Sequence, residues 1–195
     1  MEAVLTVPVT ADRDHIQGAA DAPVTLVLYG DYECPYSGKA YPIVHQVRAR
    51  MADRLRFVFR NFPITTLHPH AERAAEAAEA AAAQGKFWEM HDLLYENQKR
   101  LRDRDLHAYA EQLGLDVERF DKELAEHVHI ARVHEGLRSG VRSGVEGTPT
   151  FFVNAVRHDD SYDAGTLLKA LQRAAVEAPP GSRRTPRQAD RGRGR

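Results

Sequence analysis

Two short apolar runs set the frame of the chain. Val24-Thr25-Leu26-Val27-Leu28-Tyr29 is almost continuously apolar and is ended by Gly30. A strand buried on both faces has no polar side to show, so this run predicts a central parallel strand. Leu55-Arg56-Phe57-Val58-Phe59-Arg60 mixes apolar and basic positions until Asn61 and Pro63 stop it, and predicts a second strand. Between them, Ile43, Val44 and Val47 recur at helical spacing from Tyr41 to Met51, with Pro42 at the start or at a kink. The unit reads strand, helix, strand, joined by a right-handed crossover.

From His68 to Ser143 the period changes and no strand-like run occurs. Pro69 suits a first helical turn, and the Ala-rich stretch from Ala71 to Ala83 has high helix propensity until Gly85 ends it. Phe87 to Asn97 predicts a second helix burying Phe87, Met90 and Leu94. Leu106, Tyr109, Ala110 and Leu113 predict a third, closed by Gly114. Asp116 is a natural cap for a fourth carrying Phe120 and Leu124, and Ile130, Val133, Leu137 and Val141 mark the last. One apolar stripe per helix predicts a small bundle.

The strand pattern returns at Thr150-Phe151-Phe152-Val153, with Asn154-Ala155 as a tight turn into Val156 to His158. Asp163 can cap a final helix carrying Leu167, Leu168 and Leu171, which Pro179-Pro180-Gly181 breaks. The expectation is an α/β domain made of residues 1–67 and 144–178. A helical insertion at 68–143 separates its second and third core strands, and residues 179–195 form a disordered Arg-rich tail.

Composition narrows the chemistry. A chain of 195 residues, 43% apolar, can bury roughly 70% of its unfolded surface, so its core needs neither metal nor disulfide. Cys34 is the only cysteine, which excludes an intrachain disulfide and multi-cysteine zinc sites. Whatever Cys34 does therefore involves a partner molecule. Met1 to Thr10 shows no basic stretch followed by an apolar run, and no segment approaches about 18 consecutive apolar residues, so a cytoplasmic, non-membrane protein is expected.

The net charge of −1 conceals an uneven distribution. Gly181 to Arg195 holds six Arg and one Asp, or +5, which leaves −6 on residues 1–180. The tail is short and lacks aromatic residues, so it reads as a solubilising terminus with no nucleic-acid partner. The ten histidines include His68-Pro69-His70 and His127-Val128-His129. Alternating histidines on a helix point to different sides and no cysteine or carboxylate cluster completes a set, so they read as surface or packing residues, with no metal. Phe87 and Trp88 read as bundle core.

The informative stretch is Asp31-Tyr32-Glu33-Cys34-Pro35-Tyr36-Ser37, between the carboxyl end of a central strand and a helix, the edge where open α/β sheets bind ligands. A cysteine in the first turn of a helix meets unpaired N–H groups and the positive end of the dipole, which favour thiolate over thiol. Ser37 lies three residues on, where its hydroxyl can donate to the sulfur. The polar flanks point to a solvent-accessible, partly ionised thiol rather than a small buried hydrophobe. Gly147-Thr148-Pro149-Thr150 is the second element: Pro149 opens a strand after a turn and suits a bend or a cis bond that leaves neighbouring backbone free for a ligand.

Cys-Pro-Tyr-Ser after a buried strand, the helical insertion, and Gly-Thr-Pro-Thr-Phe-Phe-Val-Asn together resemble the DsbA-like branch of the thioredoxin superfamily. The resemblance covers about residues 14–175 and includes Phe87-Trp88-Glu89-Met90-His91-Asp92. It implies a thioredoxin-like fold, Cys34 as nucleophile, and Pro149 as a cis-proline whose preceding residue, Thr148, pairs with a substrate's backbone. Pro35 and Tyr36 join Thr148 and Pro149 as the implied substrate-binding residues, and Cys34 and Ser37 form the catalytic pair. Two positions depart from the family: the second cysteine is Ser37, and the buried Glu six residues before the nucleophile is Leu28.

Three readings follow. The first is a monothiol oxidoreductase in which Cys34 forms mixed disulfides with glutathione or protein thiols, resolved by an external thiol; no cofactor is bound and glutathione is a candidate co-substrate. The second is a redox-inactive module holding an extended peptide beside Thr148 and Pro149 by strand addition. The last is a kappa-type glutathione transferase or isomerase, ranked lowest because that chemistry places a hydroxyl where this chain keeps its sulfur. The pattern sets no oligomeric state.

Overall fold

The computed structural model describes residues 3–177. Five strands form one sheet: β1 (His15–Gln17), β2 (Val24–Gly30), β3 (Leu55–Asn61), β4 (Thr150–Val153) and β5 (Val156–His158), in the order β1-β3-β2-β4-β5. β2 takes the central place that its apolar run predicts, parallel to β3 and antiparallel to β4. Its alternate residues divide between two cores. Leu26 and Leu28 join Phe57, Phe59 and Phe151 on one face, while Val27 and Tyr29 join Val58, Phe62 and Phe152 on the other.

Helices cover both faces, which is why β2 shows no polar alternation. α1 (Pro35–Met51) runs between β2 and β3, and α7 (Ala164–Glu177) follows β5. Between β3 and β4 stand five helices: α2 (Ala71–Ala82), α3 (Phe87–Glu96), α4 (Asp103–Gln112), α5 (Val117–Ala125) and α6 (Ile130–Arg142). This is the expected α/β architecture with a helical insertion between the second and third core strands. Asp116 caps α5 by accepting the Arg119 N–H, and Asp163 caps α7 through the Gly165 and Thr166 N–H groups. Asn154 and Ala155 both take positive φ in the β4–β5 turn. The expected disordered tail at 179–195 lies outside the described residues.

Three elements differ from the sequence reading. β1 is unannounced because three residues, His-Ile-Gln, carry no apolar run; it pairs antiparallel with β3 through Ile16 and Val58. α1 begins at Pro35, six residues before Tyr41, and Pro42 sits inside it. Its first turn lacks apolar periodicity, but Pro at the first helical position loses nothing, since that N–H would be unpaired anyway.

α6 turns a different face inward. Of the expected stripe only Val133 is fully buried, while Val141 is 62% exposed. Gly136 and Gly140 lie against the exit of β3 instead, where a Cβ on Gly136 would stand 2.6 Å from the Asn61 carbonyl oxygen and one on Gly140 would meet the Phe62 ring, while the Ser139 hydroxyl lies 2.9 Å from that of Tyr29 on β2. The helix therefore packs through its small residues, and a search for bulky apolar spacing overlooks them.

Carboxylate–histidine pairs tie the insertion to its surroundings. On α2, Glu72 meets His134 of α6 at 2.9 Å and Glu76 meets His127 at 3.0 Å. Glu79 meets His15 of β1 at 2.9 Å and also accepts from the Asn61 amide. Buried Glu76 and Glu79 thus have partners, as burial of a carboxylate requires.

Candidate functional site

β2 delivers the chain at Gly30 into a loop that is polar yet buried. Asp31 is 1% exposed. Its Oδ1 accepts the Glu33 N–H at 2.8 Å and the Cys34 N–H at 3.2 Å, while Oδ2 accepts the Ile64 N–H at 2.9 Å and lies 2.8 Å from His68 Nδ1. Glu33 accepts the His70 N–H at 2.6 Å and pairs with His70 Nδ1 at 2.8 Å. The two histidines of His68-Pro69-His70 therefore each hold one acid of the loop before Cys34.

Cys34 ends this loop as the N-cap of α1, with extended backbone at φ −69° and ψ 121°. The structure corrects three expectations here. Cys34 precedes the first turn rather than lying in it, because Pro35 takes the first helical position. The residue is 3% exposed, not open to solvent, because its Sγ is turned to the Gly147–Thr150 segment, where the S–H donates to the Thr148 carbonyl oxygen at 3.3 Å. Ser37 does not donate to the sulfur: it is 1% exposed, and its Oγ accepts the Asp31 N–H at 3.4 Å.

The remaining site residues surround this contact. The Thr148–Pro149 peptide is cis, both residues are half-buried, and Thr148 Oγ1 is a buried hydroxyl without a hydrogen-bond partner. Pro35 and Tyr36 are exposed, with the Lys39 ammonium 5.4 Å from the Tyr36 ring centroid. Leu28 is buried between Phe59 and Phe151 of the flanking strands, so no carboxyl reaches the site from β2 at that position.

The insertion supplies parts of the site that the sequence reading missed. Gln98 donates from one amide nitrogen to the Tyr32 carbonyl at 2.8 Å and to the Cys34 carbonyl at 2.9 Å, and it fills the space a Cβ on Gly38 would need. Tyr95 of α3 brings a buried hydroxyl that has no partner in hydrogen-bond geometry, although Ser37 lies close enough to act on it. Burial, and then the charge of Asp31, push the Tyr95 phenol well above its ordinary range. The only local signal for these groups is a run of polar and aromatic side chains within an otherwise apolar stripe.

His91 is the other buried polar group of α3. Its Nδ1 lies 3.0 Å from the Tyr32 hydroxyl, and its ring contacts Phe59, Phe87, Trp88 and Tyr95. Burial, followed by the positive charges of His45, Arg48 and His15, holds the imidazole well below its usual value. His91 is therefore neutral in the folded protein, whereas in the unfolded chain it takes a proton below about pH 6.5. Below that pH the unfolded state binds more protons, so this residue's contribution to stability falls by about 1.4 kcal/mol per pH unit. Stability curves of the native protein and His91→Phe should converge on acidification from pH 7 to 5; a constant offset would place a protonated imidazole in the core.

A family model described as thioredoxin matches residues 10–173. A sodium/proton antiporter NhaA 1 of Salinispora arenicola is 49% identical over 183 residues, covering 94% of this chain and 27% of that protein. An NhaA antiporter of Herminiimonas arsenicoxydans is 46% identical over 169 residues, covering 87% of this chain and 27% of that protein. The chain thus spans about a quarter of these curated relatives, and the activity in their names belongs to the longer proteins.

Among solved structures, oxidised BdbD from Bacillus subtilis has a TM-score of 0.77 at 22% identity, covering 90% of this chain and all of that one. A thioredoxin-like oxidoreductase from Silicibacter pomeroyi has a TM-score of 0.75 at 26% identity, covering 90% and 98%. These comparisons correct the expected cytoplasmic location, since the structural neighbours BdbD, DsbA and ScsC are extracytoplasmic oxidoreductases. The expectation rested on Met1 to Thr10 and on the lack of a long apolar run, and neither reports a compartment. Among the described residues, no helix is long and apolar enough to cross a membrane.

Proposed function

The chain belongs to the thioredoxin family, and from that premise we propose that it performs thiol–disulfide exchange with Cys34 as its single reacting sulfur. The observation that carries this reading is the position of Cys34 Sγ, at the N-cap of α1 and 3.3 Å from the Thr148 carbonyl beside Pro149. Helix N-termini favour the anionic form of a thiol, and the thiolate is the attacking species.

With a hydroxyl at Ser37, no second sulfur of this chain can resolve the intermediate. The Cys34 thiolate attacks one sulfur of a disulfide, a new S–S bond forms, and the other sulfur leaves as a thiolate that takes a proton from solvent. An external thiolate then attacks the substrate-derived sulfur, forming a new disulfide and releasing Cys34. Glutathione or protein thiols are the partners of this scheme, with glutathione as co-substrate and no bound cofactor. Pro35, Tyr36, Thr148 and Pro149 flank the sulfur and are the proposed substrate contacts. An incoming disulfide must displace the Thr148 carbonyl from Cys34, which supports a substrate that pairs with that backbone.

Intact-mass measurement after incubation with glutathione disulfide tests the reading. The native protein should gain one glutathionyl group, lose it to free glutathione, and show neither event in Cys34→Ala. Turnover of a small glutathione mixed disulfide should be ping-pong and rise with free glutathione. Absence of any adduct, together with peptide binding that survives Cys34→Ala, would assign the site to a peptide-binding module instead.

A further inference from the structure

Arg48 stands in the last turn of α1, about 20 Å along the helix from Cys34 at 1.5 Å per residue. Its side chain is half-buried, with the guanidinium over the Phe57 ring, 5.4 Å from the centroid. A guanidinium stacked on a ring keeps its in-plane N–H groups for other acceptors. Among the described residues no carboxylate or carbonyl accepts from them. Asp92, whose charge reaches Arg48, already accepts from the Tyr41 hydroxyl at 3.0 Å and lies 3.5 Å from His45 Nε2. Burial outweighs that charge and lowers the guanidinium's pKa from its ordinary value. The carbonyl end of a helix favours a basic residue in its last turn, but Arg50 meets that preference while remaining exposed.

Three further groups line one cleft with Arg48, a space of about 300 Å³ between β1, the end of α1 and the start of β3. Gln17 brings a buried side-chain oxygen that accepts no hydrogen bond. His45 brings a ring that is 44% exposed. Ala52 brings backbone at φ 49° and ψ −124°, a conformation that an alanine holds only under strain and that recurs at ligand sites. The cleft therefore holds a cation without a counter-ion and an acceptor without a donor, and both arrangements destabilise a fold until a partner arrives. A single ligand satisfies the two groups if it is an anion that also carries an O–H.

We propose that this cleft binds a small oxyanion bearing a hydroxyl, of which hydrogen phosphate is the simplest. Its charged oxygens accept from the Arg48 guanidinium, with His45 beside them, and its O–H donates to the Gln17 side-chain oxygen. The site lies at the opposite end of α1 from Cys34 and is independent of the exchange reaction.

Calorimetric titration of the full chain near pH 7 at constant ionic strength tests it, with sodium phosphate and sodium sulfate as probes. The two ions share their shape, but only phosphate keeps a proton to donate near neutrality. Phosphate should bind saturably and roughly tenfold or more tighter than sulfate, the difference expected when a buried acceptor is left unpaired. Arg48→Met keeps the stem over Phe57, removes the charge and should abolish binding of both ions. Arg48→Lys keeps the charge, loses the fork and should bind phosphate more weakly than the native protein. Gln17→Met should bring phosphate down to the level of sulfate. Trp88 is the single tryptophan and its ring lies 5.7 Å from that of Phe57, so its fluorescence should respond to phosphate in the native protein and not in Arg48→Met.

Equal affinity for phosphate and sulfate would overturn the proposal and reduce the effect to general screening by anions. Phosphate binding that persists in Arg48→Met, or is unchanged in Arg48→Lys, would overturn it as well. Glutathione adduct formation at Cys34 should be the same in the native protein and the Arg48 variants, so loss of the phosphate site leaves the exchange function standing. Absence of saturable phosphate binding in a native protein that still forms the adduct would overturn this assignment alone.

Discussion

Replacing Asp31 by Ala is expected to lower the stability of the protein by about 3–5 kcal/mol, because several buried donors lose their acceptor at about 1–3 kcal/mol each. The carboxylate serves three backbone N–H groups and His68 from a side chain with no exposed surface. Ala leaves those donors unpaired in a space too closed for water to replace them all. Asp31→Asn separates the two oxygens' roles. Its one remaining carbonyl can keep the Glu33 and Cys34 N–H groups, whereas an amide nitrogen facing Ile64 N–H and His68 would donate towards donors. Asn should therefore cost less than Ala in denaturant unfolding. Loss of the Cys34 cap in Asp31→Ala should also alter the alkylation rate of Cys34. If Asp31→Ala unfolds within about 1 kcal/mol of the native protein, the loop before Cys34 is held by something other than this carboxylate.

The sheet and most helices were legible because their signals are local. β2 and β3 announce themselves as apolar runs, α2 by its alanines, α5 and α7 by their Asp caps, and the β4–β5 turn by Asn154 between strand-like segments. The site was legible only in part. Cys34, Ser37, Thr148 and Pro149 could be picked out by neighbouring residues, and the structure brings Cys34 and Thr148 into direct contact although they lie 114 positions apart. Asp31, His68, His70 and Gln98 act through partners 37 to 66 positions distant, or across the break between sheet and insertion. No period or turn rule encodes such pairs.

The misreadings share that physical origin. Polar flanks suggested an exposed thiol, but polarity predicts exposure only when the groups lack internal partners. Asp31 and Ser37 find theirs inside, and the loop is buried with its hydrogen bonds made. A histidine count likewise says little until the acids facing each ring are known.

The second large effect is expected at Arg60, on the β3 strand that leads into the Asp31–Ile64 contact. Arg60 is 3% exposed, and its guanidinium meets Asp14 through two bonds, Nε to Oδ1 at 2.8 Å and Nη2 to Oδ2 at 3.1 Å. It also donates to the Val7 and Pro8 carbonyls and to the Tyr29 hydroxyl. Forked geometry of this kind satisfies arginine and carboxylate together. Asp14→Ala should cost about 3–5 kcal/mol, because it leaves a charged guanidinium buried without its counter-ion. Adding Arg60→Met should recover part of that loss, since a paired ion can often be replaced by a well-packed apolar group. Recovery should stay incomplete, because Val7 and Pro8 would lose their donor. Denaturant unfolding of the two single variants and the double decides the point through their coupling energy. If the losses in Asp14→Ala and Arg60→Met simply add, the pair contributes nothing as a pair, and the segment from Val7 to Asp14 is held against the sheet by its other contacts.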